Sequence, residues 1–397
     1  MHYHIELSNR ITPISYTMAK EASHSSTSFL ASKKEDPRYL TEQIITYIGN
    51  KRSLLTFIGS AIGSIQKELQ TEKLRMLDVF SGSGIVSRYF KQHATQLYSN
   101  DLESYCNTLN RCYLSNKSEI NFHQLEDIYQ DVCHELSKGL HRGFISELYA
   151  PADDTNIQAG ERVFYTTRNA MYLDTCRQLI DPLDEPYKTL LLAPLLVEAS
   201  IHNNTSGVFK GFYKNAQTGI GQFGGNGRNA LQRIMGDIQL PLPILSNFEC
   251  EVNILQEDAN DLHRLIPEVD IAYLDPPYNQ HPYGSNYFML NLINNYQRPT
   301  EISKVSGIPE DWNKSDFNSK KMAQKTLENL CASLPAKYLV ISFNSEGFIS
   351  KEEMIQMLNR VGTVNTLEIQ YNTFKGSRNL NNRDIHVTEF LFIVKKN

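Results

Sequence analysis

No run of this sequence is long and apolar enough to cross a bilayer. The longest, Thr189–Ile201 (TLLLAPLLVEASI), holds a proline and a glutamate and falls short of the roughly 20 residues a spanning helix needs. The first residues, MHYHIELSNRITP, lack a basic stretch followed by an apolar core, so no secretory signal is expected and a cytoplasmic protein without a membrane partner is the default. The six cysteines, Cys106, Cys112, Cys133, Cys176, Cys250 and Cys331, form no CxxC pair and no zinc-ligand spacing with histidine. They read as reduced core filler, and no metal is expected. Internal repeats are also missing. With 21% charged and 41% hydrophobic residues in 397, the chain has the profile of an ordinary globular protein of one large or two modest domains.

The net charge of −5, from 39 basic and 44 acidic side chains, does not announce a polyanion binder, but the average hides local patches. Ile201–Met235 has no acidic residue. It holds Lys210, Lys214, Arg228 and Arg233 among seven glycines and the rings of Phe209, Phe212, Tyr213 and Phe223. This mixture suits phosphate and base contact. Tyr371–Arg383 is also acid-free and carries Lys375, Arg378 and Arg383. Two solvated loops account for the same composition.

Residues 1–40 are polar and Ser-rich and read as a loosely packed extension. Apolar residues at helical spacing (Leu54, Leu55, Ile58, Ile62, Ile65, Leu69) predict a helix within 51–70. Seven strand-like runs follow, at 74–80, 96–99, 251–255, 269–274, 338–343, 364–371 and 388–394. Ser350 and Glu353 form a capping box at the start of a helix to residue 358. Strands alternating with helices argue for an α/β fold with a mostly parallel sheet covered on both faces. The gap between the second and third strands far exceeds one crossover. An inserted domain over 104–248 is the simplest explanation, leaving 41–103 and 249–397 as the framework.

The first strand runs into Ser81-Gly82-Ser83-Gly84, where the two glycines remove side chains at a place a ligand could lie against backbone. Neither the Gly-Lys-Ser/Thr of a P-loop nor the three-glycine dinucleotide pattern is present. A tight strand-to-helix turn satisfies the same spacing. At the end of the second strand Asp101 stands where doubly wound folds bind ribose hydroxyls, or caps a helix. Together they indicate an adenosine-containing cofactor. The fourth strand ends in Asp275-Pro276-Pro277-Tyr278. Two prolines stiffen this turn and carry no N–H, so the Asp275 carboxylate and the Pro276 carbonyl form a rigid acceptor array beside the flat face of Tyr278. Two such acceptors can aim an exocyclic amine.

These segments resemble the D12-class, Dam-like adenine-N6 DNA methyltransferases in their α-type order. The resemblance covers most of 47–395 and rests on YIGNK (Tyr47, Gly49, Lys51), DVFSGSG (Asp78, Phe80, Gly82, Gly84), SND (Asp101), LQEDA (Asp258), DPPYNQHPYGSNY and FKGSRNLNNRDIHVTEF. The chain departs from that pattern in its longer insert and its polar N-terminal extension. The resemblance implies a class I methyltransferase fold, Rossmann-like, with 104–248 as an inserted target-recognition region. It also implies S-adenosyl-L-methionine across Asp78, Phe80, Gly82 and Gly84, with its ribose on Asp101, its adenine near Asp258, and Tyr47 and Lys51 over the methionine end. For Asp258 a loop acid, and for Lys51 a solvated lysine, are the plain alternatives.

The expected chemistry places a flipped adenine between Tyr278 and the acceptors Asp275 and Pro276. Lys210, Lys214, Lys375 and Arg378 would hold phosphates of double-stranded DNA, and a cognate restriction endonuclease is the implied partner in a restriction-modification system. An RNA amino-methyltransferase and a catalytically silent DNA-binding regulator are the rival readings. N4-cytosine transfer is disfavoured because its relatives more often carry serine at the position of Asp275.

Overall fold

The computed structural model describes residues 34–225, 227, 230–372 and 386–397. All seven expected strands form: β1 Leu74–Asp78, β2 Ala94–Asn100, β3 Glu251–Leu255, β4 Val269–Leu274, β5 Ala336–Asn344, β6 Gly362–Asn372 and β7 His386–Lys396. They make one sheet in the order β3-β2-β1-β4-β5-β7-β6. The pairs among β3, β2, β1, β4 and β5 are parallel, whereas β7 runs antiparallel to both β5 and β6.

The helices are α1 Leu55–Leu69, α2 Ile85–Phe90, α3 Ser104–Tyr113, α4 Phe122–Ser137, α5 Phe144–Tyr149, α6 Thr167–Ile180, α7 Tyr187–Ile201 and α8 Leu231–Met235, followed by α9 Tyr283–Asn286, α10 Phe288–Asn295, α11 Ala323–Ser333 and α12 Lys351–Leu358. The capping box at Ser350 and Glu353 is present, with Glu353 N–H donating to Ser350 Oγ at 3.2 Å.

Alternation along the strands separates two cores. On β4, Ala272 and Leu274 face one core while Ile271 and Tyr273 face the other, and on β5 Leu339 and Ile341 divide likewise from Tyr338 and Val340. One core is covered by Ile58, Ile62 and Ile65 of α1 with Val86 and Phe90 near them. The other is covered by Leu327 and Leu330 of α11 and Met354 and Met357 of α12. Each such aliphatic side chain contributes roughly 1.5–3 kcal/mol on burial. A third core gathers α3 to α7 and takes in Tyr287, Phe288 and Ile293 from the segment after β4. Residues 104–248 thus share their interior with α10. Helix α7, apolar on all sides and holding Pro194, lies buried within this core.

Two expectations are corrected. Residues 34–40 are packed: Tyr39 is fully buried and donates to the Tyr113 carbonyl at 2.6 Å, while Glu35 accepts from Asn247 N–H at 2.7 Å. Of the rings assigned to the acid-free segment, Phe209 belongs to the third core, within about 6 Å of Phe164. Arg233 likewise holds structure, donating to the carbonyls of Ile201, Asn203 and Thr205.

β1 lies between β2 and β4, and the chain reverses direction across the sheet at that point. In open sheets this switch point opens a crevice outside the carboxyl ends of the strands.

Candidate active site

The crevice is a cleft lined by Phe80 and Gly82 after β1, Asn100, Asp101 and Glu103 after β2, Glu257 and Asp258 after β3, and Asp275 and Pro277 after β4. Tyr47, Tyr283 and the 313–318 segment close its other sides.

Gly82 and Gly84 both adopt the left-handed conformation, with φ +51° and +77°, but they serve different purposes. A Cβ on Gly82 would stand 2.9 Å from Tyr47 Cε1 at the cleft wall. A Cβ on Gly84 would stand 2.4 Å from Asn110 Oδ1 behind the cleft, where Asn110 Nδ2 donates to Ser81 Oγ at 2.9 Å. The Gly82 amide is already donated to Asp101 Oδ2 at 2.8 Å, and Glu103 N–H donates to Asp101 Oδ1 at 2.9 Å. Burial nonetheless holds the Asp101 carboxyl above its ordinary range, against these bonds. Asn100, fully buried, ties β1 to the turn after β3 through the carbonyls of Val79 and Glu257.

Phe80 and Phe317 meet edge to face at 5.1 Å, an apolar wall beside Asp258. Asp258 is exposed and caps the short helix Ala259–Arg264, accepting from Asn260 N–H at 2.9 Å. Tyr47 stacks on Tyr283 at 5.0 Å and on Tyr287 at 4.7 Å. Asp78 lies beneath the cleft. It is fully buried, with Oδ2 accepting from Ser87 at 2.7 Å and Oδ1 without a hydrogen bond among the described residues. Burial chiefly pushes its pKa up to about 7, with help from Asp275 and Asp101.

At the DPPY turn, Phe348 N–H donates to the Tyr278 carbonyl at 3.1 Å and fixes its far side. The Tyr278 ring lies edge to face with Phe343 at 5.8 Å. Lys51 sits behind this turn. Its ammonium is 3.1 Å from Asp275 Oδ1 and 3.1 Å from Glu389 Oε1, and 5.7 Å from the Tyr278 ring centroid. It is therefore a buried ion-pair lysine and not the solvated one that was the plain alternative. Burial raises the Asp275 pKa to about 6, with Lys51 opposing and Glu389 adding to the rise.

Of the residues expected to act together, the fold brings Tyr47, Phe80, Gly82, Asp101, Asp258, Asp275 and Pro277 onto one cleft, with Lys51, Asp78, Gly84, Pro276 and Tyr278 around it. Lys210 and Lys214 are exposed in the helical region, where Lys214 pairs with Gly221 in a short hairpin. Lys375 and Arg378 lie outside the described residues.

Sequence reasoning did not single out Glu103, Glu389 or the 313–318 wall. Glu103 is 4% exposed and accepts from Asn291 Nδ2 at 2.5 Å. Burial lifts its pKa to about 7. An acid two residues after the SND element was the available signal for it.

Residues 47–357 match the family described as D12 class N6 adenine-specific DNA methyltransferase. The chain is 30% identical to the type II methyltransferase M.CviAII of Paramecium bursaria Chlorella virus 1, over 88% of this chain and 98% of the relative. It is 30% identical to the type II methyltransferase M.NlaIII of Neisseria lactamica, over 89% and 99%. With the type II methyltransferase M.FokI of Planomicrobium okeanokoites it shares 27% identity, over 88% of this chain and 52% of that protein.

Proposed function

The chain belongs to the D12 class of N6 adenine-specific DNA methyltransferases, and from that premise we propose that it is the modification enzyme of a restriction-modification system. It methylates N6 of an adenine within one specific sequence of double-stranded DNA and uses S-adenosyl-L-methionine as donor. The observation that carries this reading is the DPPY turn, which opens from the switch point of the sheet into the same cleft as Gly82 and Asp101.

The cleft residues fit the donor. Gly82 leaves open the space that a Cβ would fill against Tyr47. Asp101 offers carboxylate oxygens to ribose hydroxyls, Phe80 and Phe317 flank a flat base beside Asp258, and Tyr47 covers the remaining side. Bound there, S-adenosyl-L-methionine supplies an electrophilic sulfonium methyl.

The chain's own residues then do the positioning. A target adenine has to leave the duplex stack, because its amine is out of reach inside it. Asp275 and the Pro276 carbonyl accept the two N6 hydrogens, which turns the nitrogen lone pair outward, and Tyr278 offers its ring to the base. The Asp275 carboxylate opposes the positive charge that grows on N6 and accepts the proton the methylated amine sheds. Residues 41–103 and 249–397 form the catalytic part in this reading, and 104–248 read the target, with Lys210 and Lys214 on phosphates. A cognate endonuclease recognising the same sequence is the partner.

Long-read sequencing of DNA from cells expressing the chain tests the proposal against cells expressing Asp275→Ala. N6-methyladenine is expected at one recurring motif in the first and not in the second. Methylation by Asp275→Ala at the wild-type level, or none by the wild type, refutes it.

A further inference from the structure

Among the described residues, one cation behind the DPPY turn serves two acids. Lys51 and Glu389 are 3% and 1% exposed, the Asp275 side chain 18%. With all three ionised, the cluster carries one net negative charge. Glu389 comes from β7, the strand that enters antiparallel beside β5, where it pairs in register with Asn344. Ser342 of β5 donates to Glu389 Oε1 at 2.5 Å. Among the described residues, Glu389 Oε2 is buried without a hydrogen bond, and Asp275 Oδ1 has the Lys51 ammonium as its partner. A carboxylate left half-satisfied in a sheet interior costs stability, and the single lysine needs only one acid for pairing. The second acid must therefore do something to the first.

We propose that Glu389 is a positioning residue for methyl transfer: by drawing on the same ammonium as Asp275, it leaves that carboxylate incompletely neutralised and hence a strong acceptor for the adenine amine. The inference rests on the reading of Asp275 as that acceptor. Glu389 does not line the cleft and touches neither donor nor DNA; it acts through Lys51. Were Lys51 paired with Asp275 alone, attraction at low dielectric would spend the Asp275 charge on the ammonium.

Asp275 faces Lys51 from the segment before α1, Glu389 from β7, Tyr273 of its own strand, Asp78 of β1, and the phenols of Tyr278 and Tyr283. The phenols are all held above their ordinary range by burial and stay neutral between pH 5 and 8. Removing the Glu389 charge leaves Lys51 to stabilise the Asp275 anion unopposed, so Asp275 gives up its proton at lower pH and accepts less strongly.

The test measures transfer of tritiated methyl from saturating S-adenosyl-L-methionine to unmethylated host DNA from pH 5 to 8. Glu389→Gln is expected to move the acid limb to lower pH by about one unit, to lower the plateau several-fold, and to leave the KM for S-adenosyl-L-methionine unchanged. A folded Glu389→Gln with its limb in place overturns the proposal, because a purely structural residue would change the amount of active enzyme and not its limb. If Glu389→Gln does not fold, Ser342→Ala removes only the hydrogen bond that aims Glu389; a smaller shift in the same direction supports the proposal, and none overturns it. A wild type that transfers nothing, or Asp275→Ala at full rate, refutes the functional reading itself and is read independently of residue 389.

Discussion

Alanine at Gly82 should cost donor binding, whereas alanine at Gly84 should cost stability, although the two substitutions are chemically identical. At Gly82 the left-handed φ of +51° costs a non-glycine residue about 1–2 kcal/mol. The new Cβ also meets Tyr47 Cε1 at 2.9 Å, and Tyr47 cannot retreat freely because Tyr287 and Tyr283 stack on it at 4.7 and 5.0 Å. Overpacking of this kind costs roughly 1–3 kcal/mol. Where Tyr47 yields, it swings into the cleft and competes with the donor. About 2 kcal/mol expressed there is roughly a 30-fold loss of affinity. At Gly84 the clash at 2.4 Å is with Asn110, which holds Ser81 from behind, so the loss should appear as a lower Tm. Calorimetric titration with S-adenosyl-L-methionine alongside thermal melts separates the two. If Gly82→Ala, folded as wild type, binds the donor within two-fold of it, the assignment of this glycine to the cleft wall is wrong.

Lys51→Met leaves Asp275 and Glu389 buried with no cation, and breaking such a cluster costs roughly 3–5 kcal/mol. The Asp275 carboxyl, raised by burial to about 6, then loses the cation that opposes the rise. The penalty is therefore largest at high pH and shrinks as pH falls through the raised Asp275 value. Urea midpoints at pH 8 and pH 5.5 check this, and a penalty that grows on acidification refutes it. Glu103 has its pKa lifted by burial to about 7, so its ionisation opposes folding in full above that pH, and the cost shrinks as pH falls from there towards the ordinary glutamate range. Glu103→Gln keeps an acceptor for Asn291 and should be more stable than wild type at pH 8, on the order of 1 kcal/mol, with a smaller gain at pH 5.5; equal unfolding free energies at pH 8 would contradict it.

The framework was legible because strands buried on both sides announce themselves. Runs such as Val269–Leu274 and Thr388–Val394 are apolar, short and bounded by polar turns, and each lies within an observed strand. The cleft was legible because its chemistry sits at strand ends, where a glycine turn or a double proline has one conformational use. Local spacing carried no information on which face of the acid-free segment looked inward, and there Phe209 and Arg233 turned out to be structural. It also carried none on residues 34–40, whose order depends on Tyr39 and Glu35 finding partners near 113 and 247.

The sequence by itself determined the strands, the two turns that face the cleft and the strand-end acids Asp101, Asp258 and Asp275, since those depend on neighbours within a few residues. Only the tertiary structure decided that Lys51 is shared. β7 enters between β5 and β6 and carries Glu389 to an ammonium that local spacing would leave in solvent. An ion pair between opposite ends of a chain has no local signature, because its energy depends on the burial and distance that the complete sheet creates.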